Sequence, residues 1–281
     1  MRIEVLPTKK EMDQFLTSYI PEVDLYFFQT KPSDLEPILT KQVFLSSAFY
    51  FDIRYNNFYE YWNVLKHTNY IYIDRENKVS KLPKSSFENI LKEQIVVQRG
   101  SILDQGIFTQ LPYSIQGQYV LTNTTWEVLS EEEKKQAILY LISDYDDTMS
   151  YSCPDHLPKE FQNIINTYQV IKPCNCLGVV LYGMTKKEIY LENWIQRSTF
   201  EAHLKEYEKI DEDQFQAGDV LVFEKDGQLV HASYYLGEKN YFMNKSGQSP
   251  LNPITLKTLE DLLGEWAECS VSLYRKKESN N

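Results

Sequence analysis

The first clear hydrophobic pattern has helical spacing: between Thr8 and Tyr19, Met12, Phe15, Leu16 and Tyr19 fall on one side, and Pro21 ends the segment. Shorter apolar runs follow. Val43–Tyr55 and Tyr70–Ile73 read as strands, Ser86–Gln94 as a short helix, and Ile95–Val97 as the start of a strand that stops at Arg99-Gly100. Ile107–Leu111 and Tyr119–Thr122 continue the strand character. Ser130-Glu131-Glu132-Glu133 has the form of a capping box, and the stripe Ala137, Ile138, Leu141, Ile142 behind it predicts a helix ended by Asp144-Tyr145-Asp146-Asp147. Further helices are predicted over Pro158–Tyr168, over Lys187–Lys209 as one or two amphipathic pieces, and over Thr255–Leu263, with a last strand at Ala267–Tyr274 and a frayed tail. The pattern is α+β, with no internal repeat.

The remaining segments carry the chemistry. In Pro173-Cys174-Asn175-Cys176-Leu177-Gly178-Val179-Val180-Leu181-Tyr182-Gly183, proline and asparagine precede an apolar run and a glycine follows it, which reads as loop, N-cap and helix end. Cys176 then lies in the first helical turn, where free N–H groups and the helix dipole favour a thiolate and predict a lowered pKa. Cys174 falls in the loop before the helix. Gly218–Phe223 and Leu229–Gly237 are two β-rich runs around Asp226-Gly227, a hairpin signal, and His231 stands in the second. A third run, Tyr241–Asn244, paired antiparallel with the His231 strand, brings Asn244 level with the imidazole. A thiol on a helix N-terminus, an imidazole on the sheet and a polar residue on the next strand form a nucleophile, base and orienter.

Totals narrow the alternatives. A net charge of −11 argues against nucleic acid and anionic membrane as partners, since both need basic surface. No run is long enough to cross a bilayer, and the first ten residues lack the apolar core of a secretory signal. Four cysteines, at 153, 174, 176 and 269, are too few and too clustered for a disulfide scaffold, so the chain reads as cytoplasmic. Residues 1–125 show no Gly-rich phosphate loop and no metal-ligand spacing. His67 reads as structural and His203 as a helix-surface histidine. The acidic cluster at 144–147 lacks the spaced ligands of a calcium loop. Cys153, His156, Cys174 and Cys176 have the residue types of a zinc site without its spacing. No cofactor and no metal is expected.

Residues from about 160 to the end resemble the NlpC/P60 superfamily of papain-like cysteine peptidases. Asn175-Cys176-Leu177-Gly178-Val179-Val180, Gly218-Asp219-Val220-Leu221-Val222-Phe223 and His231-Ala232-Ser233-Tyr234-Tyr235-Leu236-Gly237 stand, in that order, where the family has its three motifs. Leu177 replaces the usual serine, Asn175 the usual aspartate, and Asn244 stands where many members carry a second histidine. The resemblance implies a bacterial protein with a papain-like domain over 126–281, an antiparallel sheet packed on the nucleophile helix, preceded by an α+β region over 1–125 of unassigned role. It implies a thiol hydrolase of amide bonds with Cys176 as nucleophile, His231 as base and Asn244 as orienter, acting on a peptide or small amide substrate. The family's cell-wall peptides, a soluble muropeptide, a γ-glutamyl peptide and an unrelated amide all remain open. So do two other classes: a transferase passing the same acyl group to an amine or alcohol, and a binding module without catalysis.

Overall fold

The computed structural model describes residues 1–59, 61–104, 113–145, 148–211 and 214–278. The strand expected at Ile107–Leu111, Asp146 and Asp147 of the acidic cluster, and the last three residues of the tail lie outside these. The chain is a mixture of helices and antiparallel sheets, as the α+β pattern implies. It divides into two compact units, residues 1–11 with 145–281, and residues 12–144, where the sequence reading drew one boundary at 125/126. The first strand, Arg2–Glu4, belongs to the later unit because it pairs antiparallel with Met149–Tyr151, a long-range contact no local pattern announces.

In the unit of residues 12–144, strands Asp24–Phe28, Tyr70–Asp74 and Ile38–Thr40 form one sheet in that order, and Ile102–Asp104 pairs with Gln118–Val120. The strand expected over Val43–Tyr55 is instead three short helices, Lys41–Leu45, Ala48–Phe51 and Ile53–Tyr59. Thr40 and Ser47 explain the difference: each sits extended at a helix start and accepts a backbone N–H with its side chain, from Val43 and Tyr50 respectively. The expected strand at Ile95–Val97 is the last turn of helix Lys84–Val96, with Val97 as its C-cap. The capping box at Ser130 and Glu133 forms and starts helix Glu131–Tyr145. Arg99 and Asp24 are buried together and paired at 3.5 Å, with the guanidinium 4.6 Å from the Tyr59 ring centre. Burial raises the Asp24 pKa, and Arg99 opposes that rise.

The other unit is built on a six-stranded antiparallel sheet in the order Thr255–Thr258, Tyr241–Asn244, Gln228–Tyr235, Val220–Lys225, Ser270–Lys276, Tyr207–Ile210. The Asp226-Gly227 hairpin forms, with both residues at positive φ, 53° and 70°. Asp219 of the Gly-Asp motif is structural: buried, it accepts two hydrogen bonds from the Arg275 guanidinium, at 3.0 and 2.9 Å. Helix Cys176–Thr185 packs on one face of the sheet with Val179, Val180 and Leu181 against Val220, Val222, Ala232, Tyr234 and Met243. On the other face Leu221, Phe223, Tyr235 and Phe242 meet Leu262 of helix Leu259–Glu265. The helix expected over Pro158–Tyr168 is reduced to Lys159–Gln162, and Lys187–Lys209 resolves into a 3-10 turn, helix Arg197–Leu204 and strand Tyr207–Ile210. Thr255–Thr258 is a strand, and the helix expected there begins only after Thr258, which caps it reciprocally with Asp261. Among the described residues no helix is long and apolar enough to cross a membrane.

Candidate active site

Asn175 caps the Cys176 helix as its spacing predicts: extended at φ −98°, it accepts the Gly178 N–H at 3.0 Å. Its amide also holds the chain at Ile195, donating to the carbonyl there at 2.8 Å. Gly183 does not end the helix, which continues to Thr185; a Cβ there would meet the Tyr234 ring at 2.5 Å, so the glycine permits close approach to the sheet. Cys176 is therefore the first helical residue, half-buried, as expected. Its pKa is not as expected. Burial pushes the thiol up to about 11, against hydrogen bonds from the Ala232, Leu177 and Cys176 N–H groups and the charge of Lys245. Removing the thiolate from water outweighs the helix terminus, so Cys176 is a protonated thiol at neutral pH.

His231 follows a β-bulge. The register between the hairpin strands slips between Leu229 and His231, placing the solvent-facing Val230 as the extra residue. Leu229 packs on the helix face with Ala232 and Tyr234, whereas the His231 ring lies against Phe223 and Trp266 on the face of the second core. The bulge re-aims the histidine to where Asn244 stands. Nε2 of His231 is 2.7 Å from Asn244 Oδ1, and Ser233 Oγ donates to the same oxygen at 2.7 Å. The asparagine oxygen only accepts, so Nε2 carries the proton and Nδ1 is left as the basic nitrogen. Burial depresses the His231 pKa to about 4, with the Asn244 hydrogen bond acting in the opposite direction. The ring is neutral at pH 7.

The structure thus joins two of the three expected residues. Cys176 meets the His231 strand at its backbone, receiving the N–H of Ala232, the residue next to His231; no hydrogen bond joins the thiol to the imidazole. Sequence reading missed the groups around them. Trp266, the C-cap of helix Leu259–Glu265, stacks on His231 with ring centres 4.5 Å apart and planes 11° from parallel. Asn244 Nδ2 donates to Ser246 Oγ at 3.1 Å, Ser246 Oγ donates to Glu265 Oε2 at 3.5 Å, and Lys257 pairs with Glu265 at 2.7 Å. A carboxylate therefore stands behind the asparagine at one remove. Lys245 is buried with its amino group donating to the carbonyls of Ser249 and Asn252 at 2.7 and 2.6 Å, and its charge favours the thiolate at both Cys174 and Cys176. A signal for it existed: Tyr241, Met243 and Lys245 share one phase of a strand, and a lysine in an apolar phase is out of pattern. Nothing local marks Trp266.

Gln248 accepts the Trp194 indole N–H at 2.9 Å. His156 pairs with Glu238 at 2.8 Å, and Cys174 is buried with its thiol pushed up to about 11 by desolvation. His203 bonds the Tyr190 hydroxyl at 2.9 Å, a helix-surface role. Among the described residues no three His, Cys, Asp or Glu side chains gather as a metal site. No curated protein matches the chain, and no solved structure does. Cys176, His231 and Asn244 all fall inside residues 167–260, the segment of the C-terminal half that matches the model of the NlpC/P60 family.

Proposed function

We propose that this protein is a thiol-dependent amide hydrolase in which Cys176 attacks the carbonyl, His231 moves the proton and Asn244 fixes the ring. The family match indicates the cysteine peptidase or amidase class; the assignment of roles is a reading of the site. The observation that carries it is the 2.7 Å bond from His231 to Asn244, which leaves Nδ1 basic in the residue adjoining the one whose N–H reaches the Cys176 thiol. Both groups start neutral. In the proposed step the thiol proton passes to Nδ1 as sulfur bonds to the carbonyl carbon, and the Cys176 N–H stabilises the oxyanion. The imidazolium then protonates the leaving amine, and water, deprotonated by the same nitrogen, releases the acid and frees the thiol. Thiol and ring are not hydrogen-bonded, and the ring lies with Phe223 and Trp266 on the sheet face opposite the Cys176 helix, so the proposed transfer requires the His231 side chain to swing toward the thiol when substrate binds. The Glu265 carboxylate, reaching Asn244 through Ser246, offsets part of the cost of forming an imidazolium in a buried place.

A peptide or γ-glutamyl type amide is the substrate class this chemistry suits. Release of a fluorescent amine from a panel of peptidyl and γ-glutamyl amides tests it. Turnover lost in Cys176→Ala and kept in Cys153→Ala and Cys269→Ala supports the reading; turnover that survives Cys176→Ala contradicts it.

A further inference from the structure

A second concave site lies wholly within residues 12–144, and neither Cys176, His231 nor Asn244 lines it. Its cavity is about 480 Å³, within the range of small-ligand sites, and Leu39, Phe49 and Tyr72 line it with Arg75, Glu76 and Lys78. Phe49 comes from the short helix Ala48–Phe51, Leu39 from the edge strand Ile38–Thr40, and Tyr72 from the central strand Tyr70–Asp74, which ends just before Arg75. A second cavity of about 410 Å³ shares Tyr72 and Lys78 with the first. The lining is therefore apolar on strand and helix, and charged where the central strand gives way to a turn.

The charged residues are not equivalent. Lys78 is neutralised by Glu76 at 3.4 Å. Arg75 has no carboxylate partner among the described residues; its guanidinium lies 5.1 Å from the centre of the Phe49 ring. Stacking on an aromatic face holds the planar fork in place without using its N–H donors. In a chain of net charge −11, an unmatched guanidinium at the edge of an apolar hollow is set for an anion. Neighbouring Glu76 disfavours a doubly charged phosphate, while a carboxylate matches the two-pronged geometry with a single charge. We propose that this cavity binds a carboxylate carrying an apolar body, the form of a peptide's C-terminal residue, with the preceding residue directed to the adjoining cavity past Tyr72. The proposal stands apart from the thiol chemistry and does not depend on it.

The test is calorimetric titration of the full chain with N-acetyl-leucyl-phenylalanine and with the same dipeptide as its C-terminal amide. The free acid is expected to bind about tenfold tighter than the amide, the worth of a charge-assisted hydrogen bond. Arg75→Gln should remove that difference by weakening the acid alone, and Arg75→Lys should restore only part of it because lysine lacks the fork. Phe49→Ala should weaken acid and amide alike. Cys176→Ala should leave the affinity unchanged. Unfolding midpoints matching the parent verify that the exposed Arg75 variants are folded. Equal binding of acid and amide, full affinity in Arg75→Gln, loss of binding in Cys176→Ala, or no heat with either ligand would each overturn the proposal.

Discussion

The imidazole of His231 lies flat against the indole of Trp266, 4.5 Å between ring centres and 11° from parallel. This stack closes the ring off from water, and the exclusion of water accounts for its low pKa. Trp266→Ala opens that side. The chain has four histidines, so each ring can be followed by NMR through a pH titration. In the parent the His231 midpoint is expected at about 4, and in Trp266→Ala it should move up toward the ordinary 6.5. An unmoved midpoint would mean that the tryptophan does not control solvation of the ring.

The same pKa ties stability to pH. The folded value of about 4 lies below the ordinary 6.5, so on acidification the unfolded chain takes up the proton first. The contribution is fully present above pH 6.5 and is lost as pH falls from there toward 4. Denaturant midpoints should fall across that window, and His231→Gln should flatten that part of the profile. A parent profile no steeper than that of the variant would count against the buried neutral ring.

Thiol reactivity should report burial rather than the helix terminus. With the Cys176 pKa at about 11, its alkylation by iodoacetamide should rise by about tenfold per pH unit from neutrality to near pH 10, without a plateau. Lys245 favours the thiolate, so Lys245→Met should lower the rate further at every pH below the midpoint. A plateau near pH 7 would show the ion-paired thiolate that the helix position alone would favour.

Asn244 is 13 positions from His231 and reaches it at 2.7 Å, whereas Gln248 is engaged with Trp194. Asn244→Ala should cut turnover by roughly 10- to 100-fold, the order for an outer partner of a functional histidine. Gln248→Ala should leave turnover unchanged. Steady-state kinetics on the pair decides it, and the reverse order would remove Asn244 from the orienting role.

How far these features were legible follows from their range. Asn175, Cys176 and the Asp226-Gly227 turn are read within a few residues, because caps and tight turns are local chemistry. The His231 to Asn244 bond was readable through one intervening turn and strand alternation. The Val43–Tyr55 segment misled because its aromatic and branched residues have strand propensity, while the caps at Thr40 and Ser47 decide for helix. The Cys176 pKa misled for a different reason: the helix terminus is local, whereas the desolvation that outweighs it comes from packing against a sheet formed some 50 residues later. Trp266, Glu265 and the pairing of Arg2–Glu4 with Met149–Tyr151 are contacts across long loops and leave no local trace.

The central claim, that His231 serves the Cys176 thiol, is tested most directly by covalent trapping. The parent, His231→Gln and Cys176→Ala proteins are exposed briefly to a peptidyl acyloxymethyl ketone at pH 7.5, and the adduct is located by peptide mass mapping. One adduct is predicted, on Cys176, absent from Cys176→Ala and formed at least about 100-fold more slowly in His231→Gln, the scale of general-base assistance. An adduct formed on Cys176 at the same rate in the parent and in folded His231→Gln would contradict it, as would labelling that falls on Cys153 or Cys269 instead.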